Sequence, residues 1–250
     1  MSGPVMPLAS VQAALDRGDL GEVLRLTDEL LAERPGDDAA HELRARALLA
    51  LGRAEEAERH AADAVRLDPD EIRYRELLAQ ALAARGAHRD AALEYRRLAR
   101  NDPRQPAWIV AEAEERLDAA QAGEAVEAAR RGVRLDPRNA AAQLALAQGL
   151  ARVGDARGAL QAAAAVVELL PGDPAARGAL ADARWLAGQD AAAFSEFRAL
   201  ASELTGPDRA RVLAKARTLY RARAGWFGRV LAGVPWLFAV VLRKGWARVR

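Results

Sequence analysis

Five prolines stand 34 residues apart, at Pro35, Pro69, Pro103, Pro137 and Pro171. Gly18, Gly52, Gly86, Gly154 and Gly188 keep the same period, each 17 residues ahead of a proline or, for the last, of Thr205. Ala120 fills the single gap in the glycine series. Glycine accepts the left-handed backbone of a tight turn, and proline stops a helix because it has no N–H to donate. Each unit is thereby cut into two helix-sized pieces. A strict period of this length marks an array of stacked supersecondary units, each able to bury its apolar face only against its neighbours.

The pieces between the marks read as helices. Hydrophobic residues make up 51% of the chain and aromatic residues only 5%, so much of the apolar content is alanine, the best helix former. Valine and isoleucine are too scattered to build strands. Leu78, Ala79 and Leu82 share one helical face before Gly86, and Ala91, Tyr95 and Leu98 share one after it. The same spacing returns with Leu146, Ala147 and Leu150, then Ala159 and Val166, and again with Leu180, Ala181, Ala193, Phe197 and Leu200. Asp38, Asp70, Asn139 and Asp173 follow the prolines and are expected to cap the next helix.

In this pattern of large and small residues, with Gly at the inner turn and Pro at the close, the sequence resembles the tetratricopeptide repeat family. The resemblance covers 4–207 as six units: 4–37, 38–71, 72–105, 106–139, 140–173 and 174–207. It implies an all-α, tetratricopeptide-type helical-hairpin solenoid, followed by a capping helix over 208–223 and an apolar, basic tail over 224–250. Departures are local. Pro7 and Ser10 replace large residues in the first unit, Arg44 takes a usually apolar place in the second, and Glu112 and Arg116 do so in the fourth.

The family binds peptides or partner proteins on its concave side, so the resemblance implies a non-catalytic scaffold or co-chaperone module with a protein or peptide partner there. Relatives that clamp a C-terminal carboxylate use Lys and Asn at the fifth and ninth positions of the first helices. Here those positions hold Leu8, Glu42, Glu76, Val110, Leu144 and Gly178, then Gln12, Arg46, Gln80, Glu114, Gln148 and Asp182, which excludes that clamp. Arg46, Arg73, Gln80, Gln148 and Trp185 are the candidate groove residues. Taken singly, each is also accounted for by an ordinary solvated position.

Nothing in the sequence points to catalysis. There is no cysteine, hence no disulfide, zinc-thiolate site or thiol nucleophile, which fits a reducing compartment. His41, His60 and His88 show no metal-ligand spacing and read as surface residues, and neither a phosphate loop nor a nucleophile elbow is present. Carboxylates such as those of AEEAERHAAD (54–63) suit solvated helix faces with ion pairs one turn apart. The expectation is no enzyme, no cofactor and no metal.

Charge is unevenly placed. Residues 1–208 carry a net −9, and 209–250 carry 11 basic residues and no acidic one. Val212, Leu213, Ala216, Leu219 and Tyr220 give the stretch after Asp208 an apolar side suited to a terminal cap. Beyond it, Trp226, Phe227, Val230 and Leu231 share one face, and Trp236, Phe238, Leu242 and Trp246 follow Pro235, with Arg243 and Lys244 alongside. The uncharged run 230–242 is too short to span a bilayer but suits an interfacial helix facing anionic lipid. The same faces suit docking onto the chain's own solenoid equally well. A homodimer or partner-protein interface ranks behind these, and nucleic acid last, because the apolar run has no role there. The opening MSGPVMPLAS has no basic run before an apolar core, so no secretory signal is expected. The expectation is a cytoplasmic scaffold of bacterial composition, held peripherally at the inner face of a membrane by its tail. The alternative is a soluble assembly factor, co-chaperone or regulatory subunit whose tail packs on itself or forms a dimer.

Overall fold

The computed structural model describes residues 8–223; the seven before and those from 224 onward lie outside the described residues. Among the described residues there are thirteen α-helices and no strand. They are α1 (Leu8–Asp16), α2 (Leu20–Glu33), α3 (Asp38–Ala50), α4 (Ala54–Leu67), α5 (Ile72–Ala84), α6 (His88–Asn101), α7 (Pro106–Asp118), α8 (Ala122–Leu135), α9 (Ala140–Val153), α10 (Ala156–Leu169), α11 (Pro174–Leu186), α12 (Asp190–Glu203) and α13 (Gly206–Arg223). The chain divides into two compact units, one ending at Gln121 and one beginning at Ala122.

In each unit, helices pack against the helices before and after them in sequence. In the first unit α3 also touches α1 and α5; in the second α9 touches α11. Within each unit, first helices of successive hairpins therefore lie side by side. This is the all-α helical-hairpin repeat fold.

The glycine series makes the hairpins. Gly18, Gly52, Gly86, Gly154 and Gly188 have φ between 73° and 85°, and Ala120 takes the same left-handed conformation with φ 58°. Around each lie the hydrogen bonds of a helix end closed by a left-handed residue. Arg53 N–H reaches Leu48 C=O at 2.9 Å, Ala87 N–H reaches Leu82 C=O at 2.8 Å, and Gln121 N–H reaches Arg116 C=O at 2.8 Å. Helix starts are capped by Asp19, Asp37, Asn139, Asp155 and Asp173, whose side chains accept backbone N–H groups at 2.7–3.1 Å. Asn139 and Asp173 cap as expected, but Asp38 and Asp70 do not. Asp37 takes the cap of α3, leaving Asp38 to accept the Tyr74 hydroxyl at 3.1 Å. Glu71 precedes α5, and Asp70 lies one residue too early.

Alanine dominates the core. Ala45, Ala47, Ala57, Ala61, Ala79, Ala81 and Ala91 are fully covered in the first unit, and Ala159, Ala163, Ala181, Ala183 and Ala193 in the second. Small side chains let helices approach closely, and larger ones fill what remains: Leu30, Leu48, Tyr74 and Leu98, then Phe194, Phe197, Leu200 and Leu219. Leu77 rather than Leu78 is the more deeply buried of that pair. α13 closes the second unit by setting Ala216, Leu219 and Tyr220 against Phe194 and Phe197, with Val212 beside them.

Two glycine-related substitutions test this packing. A Cβ on Gly149 of α9 would come within 2.9 Å of Val126 Cγ2 on α8, and a valine in a helix has little rotamer freedom to withdraw. Overpacking of about 2 kcal/mol outweighs the roughly 1 kcal/mol that alanine gains in helix propensity, so Gly149→Ala should destabilise by about 1 kcal/mol in urea melts. Ala120→Gly should do the reverse. Relief of left-handed strain, offset by the added freedom of the unfolded chain, leaves a gain of about 0.5–1 kcal/mol.

Candidate functional site

In the second unit α9, α11 and α13 enclose an open cavity of about 810 Å³. Its floor is alanine: Ala147, Ala151 and Ala179 lie where larger residues would fill it. Trp185 forms a wall, its ring set edge-on against Phe197 at 6.3 Å and 85°, which ties the wall to the core. Polar groups lie along the other sides. Lys215 Nζ donates to Asp182 at 2.6 Å and sits 6.0 Å from the Phe197 ring centre. Gln148, Arg152 and Arg211 complete the lining. An alanine floor, an aromatic wall and a few convergent polar groups make a surface for a side chain or short segment of another molecule.

Two expected groove residues, Gln148 and Trp185, are therefore brought together. The other three lie in the first unit. Arg46 and Arg73 both approach Glu42, at 3.5 and 3.9 Å, so the two cations share one buried carboxylate; Arg73 also lies 5.2 Å over the Tyr74 ring. Gln80 is exposed on α5. Asp182, Arg152, Arg211 and Lys215 were not singled out from the sequence. Asp182 and Arg152 occupy the ninth and thirteenth positions of their units, one and two turns beyond the fifth, so the repeat register held their signal. Arg211 and Lys215 come from α13, which lies outside that register. The tail candidates Trp226, Phe227, Val230, Leu231, Trp236, Phe238, Leu242, Arg243, Lys244 and Trp246 lie outside the described residues.

The histidines are not the surface residues expected. His41 is buried, and its Nδ1 lies 3.0 Å from Nδ1 of the half-buried His60, with Asp63 Oδ2 4.0 Å away. These three groups are close enough to hold a metal ion. The hydrogen bonds around them favour a proton instead. Arg44 Nε donates to His60 Nε2 at 3.0 Å, so the His60 proton is on Nδ1 and points at His41 Nδ1. His41 in turn donates from Nε2 to Pro35 C=O at 3.1 Å. A metal on His60 Nδ1 would force its Nε2–H against the guanidinium. Arg44 is held there by Leu24 C=O at 3.0 Å, Thr27 Oγ1 at 3.1 Å and Asp28 at 2.6 Å.

The repeat register supplies a second argument. Arg75 and Gln143 each reach back six residues to a proline carbonyl, Pro69 at 3.2 Å and Pro137 at 3.1 Å, as His41 does to Pro35. Arg75 pairs with Glu94 and Arg177 with Glu196 across the same 19 residues that separate His41 from His60. The histidine pair thus stands where two other hairpins have an ion pair. His88, at the start of α6, has an acidic partner in the next hairpin, with Nδ1 2.9 Å from Glu115 of α7.

Burial, and then the Arg44 charge, lower the His60 pKa from 6.5 to about 4. His41 and Arg59 act in the same direction, and Asp63 opposes them. Below pH 6.5 the unfolded chain takes up a proton that the folded chain refuses, so this contribution is complete above 6.5 and lost as pH falls toward 4. Discounted for partial solvent exposure, the loss is about 1–2 kcal/mol. The expected result is a stability difference between wild type and His60→Gln that narrows across this window in urea melts. Arg44→Leu should raise the His60 pKa, read by NMR titration, and destabilise the chain by about 2 kcal/mol through the unpaired acceptors it leaves.

Comparisons with known proteins agree with this architecture. Residues 14–81 match the family model described as tetratricopeptide repeat. No curated protein sequence matches the chain. A tetratricopeptide repeat protein from Parabacteroides merdae has a similar structure, with a TM-score of 0.74 at 15% identity over 96% of this chain and 93% of its own. PilW, a type IV pilus biogenesis factor, gives 0.64 at 15% identity over 82% and 96%. YrrB, a repeat protein of the same kind with an unusual peptide-binding site, gives 0.57 at 17% identity over 76% and 96%. At these identities the likeness concerns the fold. The match identifies residues 14–81 as tetratricopeptide repeat, and period, hairpin geometry and shared architecture extend the helical-hairpin repeat fold over the described residues.

Proposed function

We propose that this protein is a non-catalytic adaptor that holds a segment of a partner protein in the cavity between α9, α11 and α13. The observation that carries this reading is the cavity itself. Small residues keep open a space beside α9 and α11, and Trp185, fixed by Phe197, offers an apolar surface within it. A solvated groove with no such floor and wall would have little apolar area to remove from water. The peptide-binding site that YrrB carries on a similar fold supports the reading. To test it, tagged full-length protein is compared with Gln148→Trp, which places a large ring in the cavity. A partner recovered with the wild type and lost with the substitution, at unchanged helicity, is expected. Equal recovery by both proteins would refute the reading.

The second element of the proposal is location. Residues 225–250, basic and rich in tryptophan, are assigned to an anionic membrane surface, which would make the protein a peripheral tether for its partner. No helix among the described residues is long and apolar enough to cross a membrane. Charge asymmetry and the spacing of the three tail tryptophans support this part. The full chain should co-sediment with anionic liposomes, less so at high salt, whereas residues 1–224 should not. A full chain that ignores anionic liposomes would shift the assignment to self-docking or an assembly interface.

A further inference from the structure

We infer that the segment held in this cavity is acidic and apolar: one or more Asp or Glu side chains beside a large hydrophobic residue. The inference rests on the peptide-binding reading of the cavity and adds the chemistry of its occupant. Three cations line the cavity, Arg152, Arg211 and Lys215, against one carboxylate, Asp182. That carboxylate is already engaged by Lys215 at 2.6 Å. An ammonium has three donors, and Asp182 uses one. Among the described residues Arg211 is paired only with Asp208, one turn away on the same helix, and its side chain is 76% exposed. Such a pair contributes little and yields readily to a competing carboxylate. Arg152 is exposed and has no acidic partner among the described residues. The cavity therefore has a surplus of positive charge with hydrogen-bond donors unused.

The apolar half of the signature comes from the other walls. Trp185 and Leu186 border the space, and Leu186 is 43% exposed. Alanines beneath them leave a depression that a leucine-, methionine- or phenylalanine-sized side chain would fill. A basic segment would set like charges against Arg152 and Arg211. A purely apolar one would leave their charges desolvated without a partner, at a cost that a carboxylate removes. A polyanion without apolar groups would satisfy the arginines and leave Trp185 and the alanine floor uncovered. The observations therefore favour a protein segment over a nucleic acid.

The experiment uses a degenerate dodecapeptide library passed over the immobilised full-length chain, with retained peptides sequenced. Three proteins are compared: wild type, the cavity-filled Gln148→Trp, and the charge-reversed Arg152→Glu/Arg211→Glu. Both arginines are exposed, and glutamate near the start of α13 suits the helix dipole, so the reversed protein should keep its fold, as circular dichroism would verify. The expected result is enrichment of Asp and Glu next to Leu, Met or Phe on the wild type. Single selected peptides should bind about tenfold more weakly to the charge-reversed protein. Retention without acidic enrichment, or with enrichment of Lys and Arg, would overturn this inference while leaving the peptide-binding reading standing. Retention no greater on wild type than on Gln148→Trp would overturn both.

Discussion

Everything in this structure depends on one backbone conformation taken once per repeat. A residue with positive φ closes the first helix of each hairpin, satisfies its last carbonyls through its own N–H and that of the next residue, and turns the chain back. Because the turn recurs every 34 residues, first helices stack on first helices. The side-by-side placement of α9 and α11, which border the cavity together with α13, follows from it. Glycine at five of the six hairpin turns keeps this geometry unstrained; Ala120 holds it at a local cost.

Within that frame, equivalent positions do equivalent work with different chemistry. The fourth residue of α3 and that of α5 reach back to a proline carbonyl and across to the second helix of their own hairpin, and the fourth residue of α11 makes the crossing. Arg75 and Arg177 do the crossing with a glutamate, and His41 does it with a histidine. In the histidine case the proton arrangement is dictated by Arg44, a partly buried cation tied to α2 and α4 at once. This explains how an arginine can stand at a normally apolar position: its donors meet a carbonyl, a hydroxyl, a carboxylate and an imidazole, so little of its hydrogen-bonding capacity is left unmet.

The hairpin turns and the helical faces were legible because period and residue type report directly on backbone conformation. Gly18 through Gly188 mark φ, and the prolines mark helix ends. Side-chain partnerships were less legible. The caps expected at Asp38 and Asp70 fell one residue off at Asp37 and Glu71, since a cap depends on where the chain turns and not on which acidic residue is near. His41 and His60 looked unrelated at 19 residues apart, yet that separation equals the one between Arg75 and Glu94, and comparison across repeats would have exposed it. Of the groove candidates, Gln148 and Trp185 meet in the cavity, whereas Arg46 and Arg73 turn toward Glu42. Lys215 and Arg211 were hidden because α13 follows the last repeat and carries no register to align. The fold thus comes from local, periodic constraints, and the cavity from which side chains are small.

Those small side chains keep open the cavity that we propose as the binding surface. Ala147, Ala151 and Ala179 leave the space, Phe197 anchors its aromatic wall, and surplus cations border it. The most direct measurement places a photo-crosslinking residue at position 148, inside the cavity, and in a second protein at position 161, exposed on α10. Crosslinks to one defined partner segment from 148 and none from 161 are the expected result. Crosslinks from 161 alone, or the same products from both positions, would contradict the assignment of this cavity as the binding surface.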